Sequence, residues 1–491
     1  MNALSGTGKT PCSTVTVPHA SPPADARTRR LLEAPLLPTL LALAVPNTLV
    51  MVTQVGISLL EVYFIAKLGL DALAGASQVF PLMALIVALS QGAVGGGIVA
   101  AIARALGGGH HDEANRLVWH AVAIAVVFGT VTTLVTLLLG PWIYAAMGTQ
   151  GAALEAARRY SAVTFSGAVL IWLFNTLIAV LRSTGNVTLP MAVVCGGALL
   201  LVPLSPLLIF GLGPLPGLGI VGGALAPLIY YALGSLCFAL YIWGRRGVLR
   251  PAPRPPRLKT GPIWQILRVG GPSSLVSAST NVTLALVTGF VGAHGAAALA
   301  GYGAGARLEF LLVPLAYGIG GPAAILIGTN LGAGQRERAL RTAWMATLIA
   351  AVMTEAVGLA AAGWPELWLG NFSTDAAVLA TGARYLQTTG PFFGCFGAAF
   401  ALYCCAQGTG CMGWPLTGAL VRSIIAVVAG IVTAGMANGL DELFFGVGLG
   451  MAAFCLLSLP TLIARLGYQI VPASHLDHGK KLSSPCPETQ T

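Results

Sequence analysis

The chain has 491 residues, 56% of them hydrophobic and only 9% charged, with a mean hydropathy of +0.82. Soluble domains carry roughly 25% charged residues, so composition excludes a water-soluble globular protein and a disordered chain, and makes the lipid bilayer the solvent. The 26 Lys and Arg against 16 Asp and Glu leave a formal charge of +10, whose meaning depends on where the basic residues fall.

Residues 1–33 carry Lys9, Arg27, Arg29 and Arg30 but no long apolar core. They are expected to form a disordered cytoplasmic tail and not a cleaved signal. A helix crosses the bilayer with about 20 apolar residues, and twelve such stretches follow, at 38–66, 78–103, 117–140, 160–182, 190–211, 220–243, 263–290, 300–329, 341–363, 386–407, 415–437 and 443–467. An even number of spans puts both termini on one side. Alternate connections hold Arg104 and Arg116, Arg182, the run from Arg245 to Lys259, Arg336 to Arg341, and Arg465 with Lys480 and Lys481, whereas the others are poorer in basic residues and hold Asp71, Glu155, Glu366, Asp375, Asp441 and Glu442. The positive-inside rule then places both ends in the cytoplasm of a cytoplasmic (inner) membrane. The Pro-rich basic run at 245–259 also suits nucleic acid, but a cytoplasmic connection between two apolar blocks has to be polar and positive. It is assigned as a linker, and no nucleic-acid partner is expected. The predicted units are an N-lobe at 34–244, a linker at 245–262, a C-lobe at 263–470 and a cytoplasmic tail at 471–491.

The two lobes repeat one another. Pro46 recurs as Pro272, and Gly69 with Ala72-Leu73-Ala74-Gly75 recurs as Gly295 with Ala298-Leu299-Ala300-Gly301, both at an offset of 226. Leu106-Gly107-Gly108-Gly109 returns as Leu331-Gly332-Ala333-Gly334, and Thr184-Gly185 with Pro190 returns as Thr409-Gly410 with Pro415, at 225. Four matches in one register indicate an internal duplication, the usual build of a secondary transporter.

Ionisable groups at membrane depth cost about 2.5–3.5 kcal/mol each on the insertion scale, and each is a functional candidate by default. Glu61 ends a stripe of Asn47, Gln54, Ser58 and Glu61 whose steps of seven, four and three share one helical face. Such a face should line a lobe interior or a water-filled cavity. The alternative is a polar seam that glues helices. Glu309 and Glu355 fall at similar depth, with no counterpart in the other half; position 83, the mate of 309, is Met83. Arg307 stands two residues from Glu309, so a surface ion pair competes with a transport role, and Glu355 also reads as a satisfied buried carboxylate. Ser273, Ser274, Ser277, Ser279, Thr280 and Asn281 in the seventh span, with Tyr403 to Gln407 in the tenth, either line a polar pathway or let helices pack closely. The nine cysteines lie mostly in helices, none in a predicted outer loop, without a disulfide or metal pattern, and the seven histidines lie in tails, loops or near helix ends. An enzyme is not expected, nor is a cofactor or metal.

The repeated elements resemble those of the multidrug and toxic compound extrusion (MATE) family. Gly328-Thr-Asn-Leu-Gly-Ala-Gly-Gln-Arg-Glu-Arg-Ala339 is similar to that family's eighth-helix exit motif, Lys67-Leu-Gly-Leu-Asp-Ala-Leu-Ala-Gly75 to its first outer turn, and Ala406-Gln-Gly-Thr-Gly410 and Leu181-Arg-Ser-Thr-Gly185 to its tenth- and fourth-helix ends. The resemblance covers about 38–467. It implies an all-α polytopic protein, with twelve transmembrane helices in two pseudo-symmetric six-helix lobes forming a V around a central cavity. It also implies export of small amphipathic, cationic organic compounds in exchange for inward H⁺ or Na⁺. The chain is expected to act as a monomer. Glu61 stands where many members carry a coupling aspartate, with Ser58 and Gln54 as its neighbours and Asn47, Asn281, Gln407, Glu309 and Glu355 as further candidates. Two fifth-helix ligands of those members are replaced by Leu201 and Ser205. Sodium needs a shell of several oxygens, as other hard cations do, while a proton needs one carboxylate, so H⁺ is the expected coupling ion, with Na⁺ the alternative. A lipid-linked substrate flippase of the same superfamily is the other transporter reading; it calls for cationic groups at depth, where this sequence offers only Arg307 and Arg422.

Overall fold

The computed structural model describes residues 26–146, 150–212, 215–244, 247–433 and 439–464. Residues 1–25 of the expected N-terminal tail, the expected C-terminal tail at 471–491 with the last residues of the C-lobe at 465–470, and the linker residues Arg245 and Arg246 lie outside these. Residues 26–33 differ from the expected disordered tail: Ala26–Glu33 is a helix, α1. It is too short and polar to announce itself by periodicity. Docking holds it, since Leu31 is buried against Gly185 and the Arg27 guanidinium donates to the Tyr241 hydroxyl at 3.3 Å.

The first lobe begins with α2 (Leu36–Ala66). Next, α3 (Leu70–Val87) passes through a π-helical turn at Ala88–Val94 into α4 (Gly95–Gly107), forming one long span. Then come α5 (His111–Ala146), the pair α6 (Gly151–Ser166) and α7 (Ala168–Ser183) bent by 48°, and α8 (Thr188–Phe210). A two-residue antiparallel ladder, β1 (Gly211–Leu212) with β2 (Leu215–Pro216), leads into α9 (Ile220–Trp243). The second lobe holds α10 (Thr260–Gly292), α11 (Ala296–Gly332), α12 (Arg336–Gly363) and the short α13 (Pro365–Leu369). It continues with α14 (Ala376–Thr389), a 3₁₀ turn at Gly390–Phe392, α15 (Phe393–Thr409), α16 (Gly413–Thr433), α17 (Gly439–Ser458) and α18 (Pro460–Ala464). Among the described residues eleven helices are long and apolar enough to cross a membrane, or twelve when the bent pair α6–α7 is counted as one span.

The duplication is visible in the backbone. Gly69 and Gly295 have φ of 115° and 105°, Gly109 and Gly334 of 75° and 76°, and Gly185 and Gly410 of 75° and 79°. Gly109, Gly334, Gly185 and Gly410 follow helix ends, and Gly69 and Gly295 stand just before the first residues of α3 and α11; all six have a positive φ that side chains disfavour, so the same turns recur in both lobes.

The lobes share a core at one end only. One buried cluster joins the first lobe to Ile319, Ala323 and Ile327 of α11, Ala343 of α12 and Leu402 of α15. A second is confined to the second lobe, around Val287, Tyr302, Tyr385 and Phe444. Where the lobes meet, a Cβ on Gly107 would lie 2.0 Å from the Thr329 carbonyl oxygen, and one on Gly332 would lie 2.1 Å from that of Arg104. In a bilayer, helices gain nothing by hiding from water and associate through close packing and hydrogen bonds; glycines permit the approach. The linker is strapped to α5: the Trp119 indole donates to the Ala252 carbonyl at 2.9 Å, the Arg250 amide to Asn115 Oδ1 at 2.7 Å, and the Lys259 amide to His120 Nε2 at 3.1 Å.

Candidate functional site

Glu61 lies in the last turns of α2, and its carboxylate accepts a 2.5 Å hydrogen bond from the hydroxyl of Tyr160 on α6. Tyr160 is buried and held edge-on by Phe80 of α3, and Tyr231 of α9 is the other titratable side chain facing Glu61. Among the described residues no cation pairs with Glu61. The rest of the expected stripe does not converge on it. Gln54 Oε1 accepts from Gln91 Nε2 at 3.1 Å, Ser58 is exposed, and Asn47 is buried, donating to the carbonyls of Tyr317 at 3.2 Å and Gly318 at 3.5 Å in the other lobe. One helix face thus serves three places.

Glu309 on α11 sits in a comparable environment with one difference. Its carboxylate accepts from the hydroxyl of Tyr385 on α14 at 2.8 Å and pairs with the Arg422 guanidinium of α16 at 3.1 Å. The Arg422 and Glu309 side chains are 8% and 15% exposed, so the pair belongs to the lobe interior. The surface partner considered from sequence, Arg307, is exposed and stacks over Phe372 instead. Tyr160 and Tyr385 are repeat mates at an offset of 225, yet the carboxylates they hold come from non-equivalent helices. The Arg159-Tyr160 dipeptide, returning as Arg384-Tyr385, was the signal available in the sequence.

Glu355 has a structural partner. Its Oε2 accepts from the Gly394 amide at 2.6 Å, where α15 restarts after the 3₁₀ turn. A helix start leaves backbone N–H groups without intrahelical acceptors, and this carboxylate supplies one. Asn281 is exposed and donates back to the Ser277 carbonyl at 2.9 Å. The seventh-span hydroxyls divide: Ser279 and Thr283 tie α10 to Ser423 of α16 at 2.6 and 2.7 Å, whereas Ser274 and Thr280 bond carbonyls one turn back in their own helix.

Gln407 is 2% exposed and crosses between the lobes, its Nε2 lying 2.8 Å from the Gly92 carbonyl, 2.9 Å from the Tyr403 hydroxyl and 3.3 Å from Ser273 Oγ. Its repeat mate is Arg182, also buried, which meets Tyr317 of the other lobe. Gly92 and Tyr317 are themselves mates at 225. The crossing therefore carries the same latch twice, once neutral and once cationic.

A family model described as MatE matches residues 46–207 and again 272–432. The two matches are displaced by 226 residues at their starts and 225 at their ends, as the repeat requires. The chain belongs to the MATE family. A protein of Shewanella oneidensis named "FAD transporter" is 29% identical over 71% of this chain and 77% of its own length. A "Probable multidrug resistance protein NorM" of Thermotoga maritima is 27% identical over 69% and 73%. Among solved structures, one described as "Crystal structure of MATE in the bent conformation" superposes with a TM-score of 0.83 at 23% identity, covering 90% of this chain and 98% of that one. One described as an outward-facing MATE transporter superposes at 0.81 with the same identity and coverage. At that identity the likeness establishes the fold: two six-helix lobes in a V. In this MATE chain the fifth span, α8, buries Leu201 and Ser205 where the resemblance would put an amide and an acid. Among the described residues, Glu61 is held by the Tyr160 hydroxyl with neither a cation nor a backbone N–H as partner.

Proposed function

We propose that this MATE protein is a secondary antiporter that exports amphipathic, cationic organic compounds in exchange for inward protons, with Glu61 as the coupling carboxylate. The observation that carries the reading is the Glu61–Tyr160 pair: a carboxylate inside a membrane span with one hydroxyl donor and, among the described residues, no counter-cation. Sodium would need several oxygens, and the nearest candidate amide on α2 is engaged elsewhere, its oxygen accepting from Gln91. A proton needs only the carboxylate. Protonation would turn a charge-assisted hydrogen bond from Tyr160 into a weaker neutral one, loosening the tie between α2 and α6, and substrate and proton would then compete for one conformation of the lobe. With the termini inside an inner bacterial membrane, the crossing at Gly107 and Gly332 closes the cytoplasmic side, and the cavity faces outward.

Efflux of a fluorescent organic cation from proteoliposomes, driven separately by a pH gradient and by a sodium gradient, tests this in wild type and Glu61→Gln. Proton-driven movement lost in the variant is the expected result. Unchanged proton-driven movement in Glu61→Gln refutes the assignment, sodium-driven movement favours the sodium alternative, and no movement under either gradient favours the flippase reading. A second substrate class rests on the relative named for FAD and on buried Arg182, which has no carboxylate partner among the described residues. Parallel vesicles loaded with FAD distinguish an anionic flavin dinucleotide from an organic cation.

A further inference from the structure

We propose that Arg422 is a built-in counter-ion that occupies the place of a transported cation in the second lobe, withdrawing Glu309 from ion coupling and confining coupling to a single carboxylate, Glu61. The inference rests on the reading of Glu61 given above and adds the number of coupled ions and the residue that sets it.

The two lobes present the same tyrosine to a carboxylate: Tyr160 to Glu61 at 2.5 Å and Tyr385 to Glu309 at 2.8 Å. A carboxylate held this way in a membrane interior is equipped to take up a cation or a proton when the lobe changes shape. The lobes differ in what stands opposite the tyrosine. In the second, the guanidinium of Arg422 lies 3.1 Å from Glu309 and is backed by the face of Phe396, 5.1 Å from the ring centroid. The repeat mate of Arg422 in the first lobe is Gly197, a residue lining an apolar cleft of about 180 Å³ between α8 and α9 with Tyr230 beside it. Glycine supplies no charge there.

The groups facing Glu309 from each packed element are Arg422 on α16, Tyr385 on α14 and Tyr302 on its own helix, with Thr288 of α10 beside Tyr302. Those facing Glu61 are Tyr160 and Tyr231. Guanidinium is never deprotonated in proteins, so the Glu309–Arg422 pair is neutral as a unit and keeps its cation throughout the transport cycle. A proton or metal ion arriving at Glu309 would have to displace a tethered charge that cannot leave. The aromatic wall of Tyr302, Tyr385, Phe396 and Phe444 also excludes the water that would let the pair separate. Among the described residues Glu61 has no such tenant, and its site can empty and fill.

The test counts coupled protons in full-length protein reconstituted in proteoliposomes, by measuring the equilibrium substrate ratio against an imposed pH difference at zero voltage. One exchanged proton supports about a tenfold ratio per pH unit and two support about a hundredfold. Wild type is expected to give the single-proton slope. Glu309→Gln combined with Arg422→Met, which removes both charges of the pair and avoids leaving either one buried alone, is expected to keep that slope. Arg422→Met alone frees Glu309 and is expected to steepen the slope toward the two-proton value. A two-proton slope in wild type, loss of proton-driven transport in the double variant, or an unchanged slope in folded Arg422→Met would each overturn the proposal. Should Arg422→Met fail to fold, wild type and the double variant decide. Glu61→Gln run alongside separates the two claims: proton-driven transport surviving in it refutes the role of Glu61, whereas its loss there together with loss in the double variant refutes only the inertness of Glu309.

Discussion

Alanine at Gly107 places a methyl carbon 2.0 Å from the Thr329 carbonyl oxygen, where ordinary contact requires more than 3 Å. The neighbouring backbone would have to retreat by roughly 1 Å, and overpacking of this kind costs about 1–3 kcal/mol. Gly332→Ala meets the Arg104 carbonyl at 2.1 Å and strains the same crossing from the other side. That cost falls only on the conformation in which the lobes are closed there. Once they part, both methyl groups stand free, so each substitution shifts the conformational equilibrium by about 5–150-fold toward opening at the crossing. Spin labels at Leu70 and Ala296, exposed repeat mates at the opposite end of the V, report the change as a gain in the short-distance population by pulsed EPR. Gly303→Ala is the control. Nothing lies within 4 Å of its Cβ, so it adds a methyl group inside α11, with a helix-propensity gain of about 1 kcal/mol over glycine, and meets no neighbour. Distance distributions in Gly107→Ala and Gly332→Ala that match the Gly303→Ala control would refute the crossing as a steric closure.

Two further outcomes follow from named contacts. Glu355→Ala deprives the Gly394 amide of its acceptor at the restart of α15 and should lower stability by about 1–2 kcal/mol, as helix caps do; thermal unfolding in detergent should show a lower Tm, Glu355→Gln should recover most of it, and an unchanged Tm in Glu355→Ala would remove the capping role. Gln407→Leu breaks the tie to Gly92 across the lobes, worth about 0.5–1.5 kcal/mol, and should raise the same short-distance EPR population as Gly107→Ala to a smaller extent; no change would show that the crossing closes by packing alone.

The spans, the duplication and the prominence of Glu61 were legible because each rests on local signals: apolar length, turn glycines at a fixed offset, and one acid in a helix-face stripe. What sequence left open were partners. Nothing in the first span names Tyr160, 99 residues away, and Arg422 meets Glu309 across 113 residues, so depth and helix face alone could not separate an acid held by a tyrosine alone from one neutralised by an arginine. Glu355 was ambiguous for a related reason: Gly390-Pro391 marks a helix break in the sequence, but nothing local says that the helix restarting there brings its Gly394 amide to Glu355, 39 residues away. The helix at Ala26–Glu33 was missed because eight mostly polar residues carry no span signal, and it exists by docking against another part of the chain.

The strap between the lobes bears on how such a chain can be assembled. Six crossings return the polypeptide to the side on which it began, so the second copy starts where the first ends, and the join needs no crossing of its own. Residues 250–259 meet that minimal requirement while staying anchored to α5 through Trp119, Asn115 and His120. A break made there would leave each product with a complete set of spans and its own orientation signals, and the glycine crossing, which involves no linker residue, would be what brings the two products together.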